Sequence, residues 1–253
     1  MTAPNGAHMN GPILFCGDPH GQWQHIIDAA EQTRARAVIL LGDLEPARPL
    51  HIELAAIWDR TWFIHGNHDT DSHANFANVW HPELAERHLH GRVVTLPCGT
   101  RIAGLGGVFR GAVWYPKDNH PLRFATREAH AAVTPRQDRW QGSVHLKHWS
   151  SIYPDEFDQL AAQQADILIT HEAPGYHMHG FTELDALARS MGVHTTVHGH
   201  QHDCIDSSAH WAAQGFKSFG VGLRGVMALD AQGKVSQVVA GTLDEVRAGR
   251  EKR

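Results

Sequence analysis

The run Ala37–Leu41, "AVILL", is apolar at every position and then breaks into Gly42 and Asp43. A strand with one face in water alternates apolar and polar residues. A continuous run needs structure on both faces, as in the parallel sheets of α/β proteins. The pattern recurs on either side of it. "PILFC" (Pro12–Cys16) runs into "GDPHG", and "TWFI" (Thr61–Ile64) runs into "HGNHD". Between these strands, Gln22–Arg34 carries Trp23, Ile26, Ile27 and Ala30 at helical spacing, and "LHIELAAIWD" (Leu50–Asp59) repeats it. Strand, helix and strand in alternation predict βαβ units. The 253 residues suffice for one large domain, and we read a single domain over 12–241.

Beyond Asp69 a polar helical segment leads to two short strands, "RVVTL" and "RIAGLGGV". The regular pattern then dissolves over about 109–151. That is long for a loop in a compact domain and predicts an insertion or a lid over a site, the lid being favoured. Its cations and aromatics, among them Arg110, Trp114, Tyr115, Lys117, Arg127, Trp140, Lys147 and Trp149, suit an anionic ligand with a flat ring. The plainer role for the aromatics is to anchor the segment to the body. Helices follow near Pro154–Gln164 and Glu183–Met191, alternating with "DILITHEAPG" and "VHTTVHGHQHD". "FKSFGVG", "GVMALD" and "KVSQVVA" predict antiparallel strands of a second sheet, with a turn at Gly233. Residues 242–253 read as a charged, frayed tail. Residues 1–11, with "GAHM" at Gly6–Met9, read as a disordered or cloning-derived start and are left out of the fold.

Charge excludes some functions. Lys and Arg number 22 against 27 Asp and Glu, a net of −5, so no global basic field attracts nucleic acid or anionic lipid. No run is apolar for long enough to span a bilayer and no signal peptide is visible, so the expectation is a cytoplasmic protein with no membrane partner. Cys16, Cys98 and Cys204 are too few and too scattered for a disulfide framework. Histidine is the anomaly, with 22 copies, and neutral imidazole is the commonest metal ligand.

Five motifs stand at strand ends: "GDPHG" (Gly17–Gly21), "GD" (Gly42, Asp43), "GNHD" (Gly66–Asp69), "THEAP" (Thr170–Pro174) and "GHQH" (Gly199–His202). With Asp69 set aside as a loop residue, they supply two Asp, one Asn and five His, a donor set suited to two divalent transition metals with mixed oxygen and nitrogen ligation. Any one motif alone is weak, since a strand-end Asp or Asn is more often a turn or cap. The series resembles the calcineurin-like metallophosphoesterase superfamily, whose D-x-H, G-D, G-N-H-[DE], H and G-H-x-H motifs are matched between Ile13 and Asp203. The resemblance implies an α/β fold, a four-layer αββα sandwich of two mixed sheets flanked by helices, with a metal site at the strand carboxyl ends. It also implies a hydrolase acting on phosphate esters. By position Asp18, His20 and His202 would hold one metal, Asn67, His171 and His200 the other, and Asp43 would bridge them. His68 would be free of metal and act on the leaving group or orient the phosphate, with Asp69 fixing the loop. Two cations would clamp the phosphoryl group and lower the pKa of a water between them, so that hydroxide exists at neutral pH. Manganese is the metal the resemblance favours; zinc, iron or nickel fit the histidines equally well.

The departures bear on substrate. Protein phosphatases of the superfamily extend the second motif to G-D-x-x-D-R-G, whereas Pro46, Ala47 and Arg48 occupy those last positions here. The Asp that would pair with the catalytic His and the Arg that would clamp a monoester are both missing from the motif. Phosphodiesters or nucleotides are therefore favoured, as a phosphorylated small molecule or diester, over phosphoproteins. The alternatives are a phosphomonoesterase or protein phosphatase and a non-catalytic scaffold of the same fold. Nucleic acid remains an open substrate class that the acidic total charge disfavours. Arg110 and Arg224, beside Gly-rich turns, and His177 and His179 in "YHMHGF" are candidate substrate contacts. His65 and His198 stand next to motifs, where they would orient a ligand or bond to backbone.

Overall fold

The structure, a computed structural model, describes residues 10–244. The expectations for 1–11 and for the 242–253 tail fall almost wholly outside these residues. In chain order the elements are β1 (Ile13–Cys16), α1 (Gln24–Gln32), β2 (Ala37–Leu41), α2 (Leu50–Glu53), β3 (Thr61–Ile64), α3 (His73–Val79), β4 (Arg92–Thr95) and β5 (Arg101–Leu105). Then come α4 (Arg127–Val133), α5 (Pro154–Ala161), β6 (Ile167–Thr170), α6 (Thr182–Ser190), β7 (Thr195–His198), α7 (Trp211–Gln214), β8 (Lys217–Gly220), β9 (Val226–Leu229) and β10 (Val235–Val239).

Two mixed sheets of five strands form, in the orders β10-β9-β1-β2-β3 and β4-β5-β6-β7-β8. Strand periodicity sorts the apolar side chains into three layers. Ile13, Phe15, Ile39, Leu41 and Ile64 of the first sheet meet Ile102, Ile167, Ile169 and Val197 of the second between the sheets. The alternate residues Leu14, Cys16, Val38 and Leu40 turn outward against Ile26, Ala29 and Ala30 of α1. On the far side Ala103, Leu105 and Leu168 pack against Leu160 of α5 and Leu184, Leu187 and Ala188 of α6. The result is the expected αββα sandwich. Removing one of these side chains to Ala costs about 2–5 kcal/mol.

Two local expectations are corrected. The last three strands do not make a sheet of their own. β8 extends the second sheet parallel to β7, Lys217 opposite Thr195, while β9 runs antiparallel to β1, Leu229 opposite Ile13, and pairs with β10 across the Gly233 turn. Alternation identified the strands but not their partners. The unbroken burial of "VMAL" in β9 is the mark of a central strand. "LHIELAAIWD" is α-helical only over Leu50–Glu53, because the chain leaves the helix at Leu54 while still burying Leu54 and Ile57 in the core, and it closes in a 3-10 turn at Trp58–Arg60. The 109–151 segment carries short elements of its own. It holds α4 and single 3-10 turns at Arg136–Asp138 and Leu146–Ser150. Its aromatics are seated on the body: Trp114 on Phe109 and Phe157, Trp140 stacked on His73 at 3.9 Å, and Trp149 edge-on to Phe76. Among the described residues no helix is long and apolar enough to cross a membrane.

Candidate metal centre

The parallel strands β1, β2, β3, β6 and β7 deliver the five motifs from their carboxyl ends, where open α/β sheets hold ligands. The backbone there is held in an uncommon state. Asp18, His20, Asp43, His200 and His202 have φ of 40°, 42°, 50°, 65° and 57°, a left-handed conformation that costs a side-chain-bearing residue about 1–2 kcal/mol. Such strain persists only where surrounding structure imposes it, and it gathers at functional sites. Glycine makes the approach possible. A Cβ on Gly42, whose φ is 99°, would lie 2.5 Å from His171 Nδ1, and one on Gly66 would lie 2.5 Å from His171 Cε1.

The donors converge in two groups. Ligand atoms of His20, Asp43 and His202 lie within 4.8 Å of one another, and so do those of Asp43, His171 and His200. Asp43 belongs to both. Asn67 Oδ1 is 3.3 Å from His171 Nε2, on the same side as the Asp43 carboxylate, itself 3.3 Å from that nitrogen. Asp18 is buried, receives both 3.0 Å contacts from the His200 backbone N–H, and comes within 3.8 Å of His171 Nδ1. All seven donors expected from the motifs thus meet in one place.

Outer partners fix which ring nitrogen faces inward. His171 Nδ1 donates to Leu41 O at 2.7 Å, leaving Nε2 toward Asp43 and Asn67. His20 Nδ1 donates to the Glu45 carboxylate. These are the partners that orient metal-binding imidazoles. Asp69 accepts from Gly66, Leu44 and Glu45 N–H at 2.8–2.9 Å and so ties the second motif loop to the third. The donor types, their shared carboxylate and these outer contacts fit a pair of divalent transition cations.

His68 stands apart from the donor groups. Its backbone N–H donates to Asp43 Oδ1 at 2.8 Å, its ring lies 5.5 Å from that of His20, and its Nδ1 donates to Asp71 Oδ2 at 2.6 Å. The carboxylate missing from the second motif is therefore supplied three residues after the histidine. Asp71 and Glu45 are the residues that motif reasoning missed. The i to i+3 spacing of His68 and Asp71 on one turn of 3-10 helix was the available signal for the first. Glu45 reaches His20 across a loop and had none.

The other named residues are placed as follows. Arg48 is exposed and held by Glu53, away from the centre. Arg110 is half-buried, donates to Ser150 Oγ at 3.3 Å, and feels the charges of Asp71, Glu172 and Asp43. Arg224 donates its backbone N–H to Gly17 O, beside the first motif. His177 is buried and reaches Asp203, next to His202, at 3.2 Å, while His179 is exposed with its ring 5.6 Å away. His65 pairs with His88 at 2.9 Å, and His198 with Tyr176 OH at 2.7 Å and Gly199 O at 2.9 Å.

Electrostatics follow from packing carboxylates in a dry place. Burial pushes Asp18 up to about 7, with His171 opposing and Asp43 adding. Burial also works against charge on His171, but Asp43 and then Asp18 outweigh it and raise the imidazole to about 10. Asp43, opposed by burial but facing His171 and the His68 N–H, lies below the usual carboxylate range. Burial lowers His68 less than Asp43 and Asp71 raise it, so its pKa lies above the ordinary value.

Comparison with known proteins agrees with the geometry. The family model described as calcineurin-like phosphoesterase matches residues 11–204. A protein of Haemophilus influenzae, itself described only as uncharacterized, is 44% identical over 191 residues, 76% of this chain and 83% of its own. Among solved structures, that of TT1561 from Thermus thermophilus superposes with a TM-score of 0.53 at 17% identity, covering 90% of this chain and 98% of that one, a likeness of fold. With its motifs, its sandwich and the match over most of its length, the chain belongs to the calcineurin-like phosphoesterase family.

Proposed function

We propose that the protein hydrolyses phosphate esters with two divalent cations, one held by Asp18, His20, Asp43 and His202 and the other by Asp43, Asn67, His171 and His200, and that phosphodiesters or nucleotides are its favoured substrates. The observation that carries the reading is Asp43, whose carboxylate belongs to both donor groups. Cations so held supply the positive charge that polarises a phosphoryl group and acidifies a water. Manganese is the first metal to test, with zinc, iron and nickel as alternatives.

The chain's own residues supply the rest. His68 gives a proton to the leaving oxygen; Asp43 and Asp71 raise its pKa and so extend the pH range over which it holds that proton. Asp71 holds the ring so that Nε2 is the nitrogen that donates. Asn67 adds a donor without adding negative charge beside an anionic substrate. The preference for diesters rests on Arg48, which occupies the last of the altered second-motif positions yet is exposed and bound to Glu53, leaving no arginine of that motif to clamp the extra charge of a monoester. The 109–151 segment packs beside the third motif, Ser150 bonding Thr70, and contributes Arg110. A monoesterase is the second reading, and Arg110, half-buried opposite Asp43, Asp71 and Glu172, is the observation in its favour.

The test is kcat/KM for bis(4-nitrophenyl) phosphate and 4-nitrophenyl phosphate side by side on manganese-loaded protein. A diester preference is expected. A monoester preference would move the clamp to Arg110 and overturn the substrate assignment. Hydrolysis of neither ester, with manganese, zinc, iron or nickel, would overturn the phosphoesterase assignment itself.

A further inference from the structure

A pocket of about 610 Å³ opens beside the His68–Asp71 pair, lined by Thr70, Asp71, His130, Leu146, Lys147 and His148, with His145 at its edge. Its position is fixed by two contacts. Asp71 forms part of its wall while holding His68, and Thr70 is tied to the Leu146–Ser150 turn by the 2.7 Å hydrogen bond between its hydroxyl and Ser150 Oγ. The rest of the wall comes from α4 and the Leu146–Ser150 turn, both in the 109–151 segment.

The lining is unusual in chemistry. Asp71 is its one carboxylate and is already engaged by an imidazole. Against it stand Lys147 and three histidines. His148 Nδ1 is taken by Ser151 Oγ at 3.0 Å and His130 Nδ1 by Tyr153 OH at 2.9 Å, and the second ring nitrogen of each makes no hydrogen bond among the described residues. Arg127 donates to His148 O at 3.0 Å and so stands just behind the wall. The histidines report the local field. Burial first, then His130, Lys147, Arg110 and His145, drive His148 down to about 3, so it is a neutral hydrogen-bonding group in a positive surrounding. A neutral imidazole can donate its remaining ring N–H to an anion, and the cations Lys147 and Arg127 draw one there.

We propose that this pocket is a second anion subsite, which receives a phosphate of the substrate other than the one being cleaved. Lys147 makes the charged contact and His145 a further polar one, while His130 and His148 offer neutral donors. The substrate class is then a phosphate ester that carries a further phosphate group, such as a nucleotide phosphorylated at a second position. The inference rests on the phosphoesterase reading above, through the His68–Asp71 pair that joins pocket to centre.

The experiment uses two esters that differ in one group: the 4-nitrophenyl ester of thymidine 5′-monophosphate, with and without a 3′-phosphate. Release of 4-nitrophenol by manganese-loaded protein gives kcat/KM for each, and their ratio is the readout. Calorimetry with thymidine 3′,5′-bisphosphate and thymidine 5′-monophosphate gives the same ratio for binding. One charge-assisted contact predicts a preference of roughly tenfold or more for the doubly phosphorylated compound, carried by KM. In Lys147→Ala/His145→Ala protein the ratio is expected to fall close to one in both measurements. A wild-type ratio near one, or a ratio that survives the double substitution, would overturn the subsite. Absence of turnover on both esters would instead count against the phosphoesterase reading, and the binding ratio would still decide the subsite.

Discussion

At the scale of the residue, the account turns on His68 and the carboxylate behind it. His68 gives no ring nitrogen to either donor group that shares Asp43, its ring meeting only the edge of His20, while its backbone N–H is anchored to Asp43, so its side chain can be changed with the candidate metal ligands left in place. His68→Asn should keep its metal, measured by elemental analysis, and lose turnover by roughly 10²–10⁴-fold. Asp71→Asn should lose about 10–100-fold in kcat and shift the alkaline limb of the pH profile to lower pH, since the Asp71 carboxylate is one of the groups that raise His68 and hold the proton it donates. A variant with the parent's profile would remove Asp71 from the mechanism. The seven donors could be read from the sequence because each sits at a fixed offset from a strand end. Asp71 and Glu45 could not, because what they contact is set by how two loops fold over each other. His177 shows the converse. Its H-x-H spacing with His179 suggests a substrate contact, but the ring is buried against Asp203, a burial that spacing does not encode.

At the scale of the element, strand ends do the positioning and glycines let them meet. A methyl group on Gly66 would strike the His171 ring, so Gly66→Ala should reduce the manganese bound per chain, measured by calorimetry, and destabilise the fold by about 1–3 kcal/mol. Unchanged metal binding would mean the two motifs are less tightly joined than Asp69 and its three N–H contacts imply. Strands were legible in the sequence because burial on both faces leaves an unbroken apolar run, as in β2. Pairing was not. β8 and β9 follow one another in the chain yet join different sheets, a choice made by the tertiary fold and not by local pattern. The elements inside the 109–151 segment are not legible in the sequence, since its packing is carried by single aromatics such as Trp114 and Trp140 and by no periodic face.

At the scale of the whole molecule, buried titratable groups set the response to acid. Burial, then His130 and Lys147, hold His148 down to about 3 from 6.5, and Glu156, opposed by burial but paired with His90 and Arg127, lies at about 2 against an ordinary 4.5. Both folded-state values are depressed, so the unfolded chain binds these protons more readily. The stability they contribute is complete above pH 6.5 for His148 and 4.5 for Glu156 and is lost as pH falls toward 3 and 2. Each contributes a slope of about 1.4 kcal/mol per pH unit within its window. Urea unfolding at pH 7.5, 5.5 and 4.5 should show the fall, and His148→Gln should make it shallower; an identical slope would show that His148 takes up its proton without unfolding.

The same coupling of buried charge acts at the centre. A proton held on His171 at about 10, and one on Asp18 at about 7, must leave before cations bind there, so affinity for metal should weaken as pH falls. The most direct test of the account is to strip the protein with a chelator at pH 7.5 and titrate manganese back, following bound metal and ester hydrolysis together. The account predicts that hydrolysis vanishes on stripping and returns in full only at two equivalents per chain, the number of donor groups that share Asp43. Hydrolysis that survives the chelator, or that one equivalent restores completely, would contradict it.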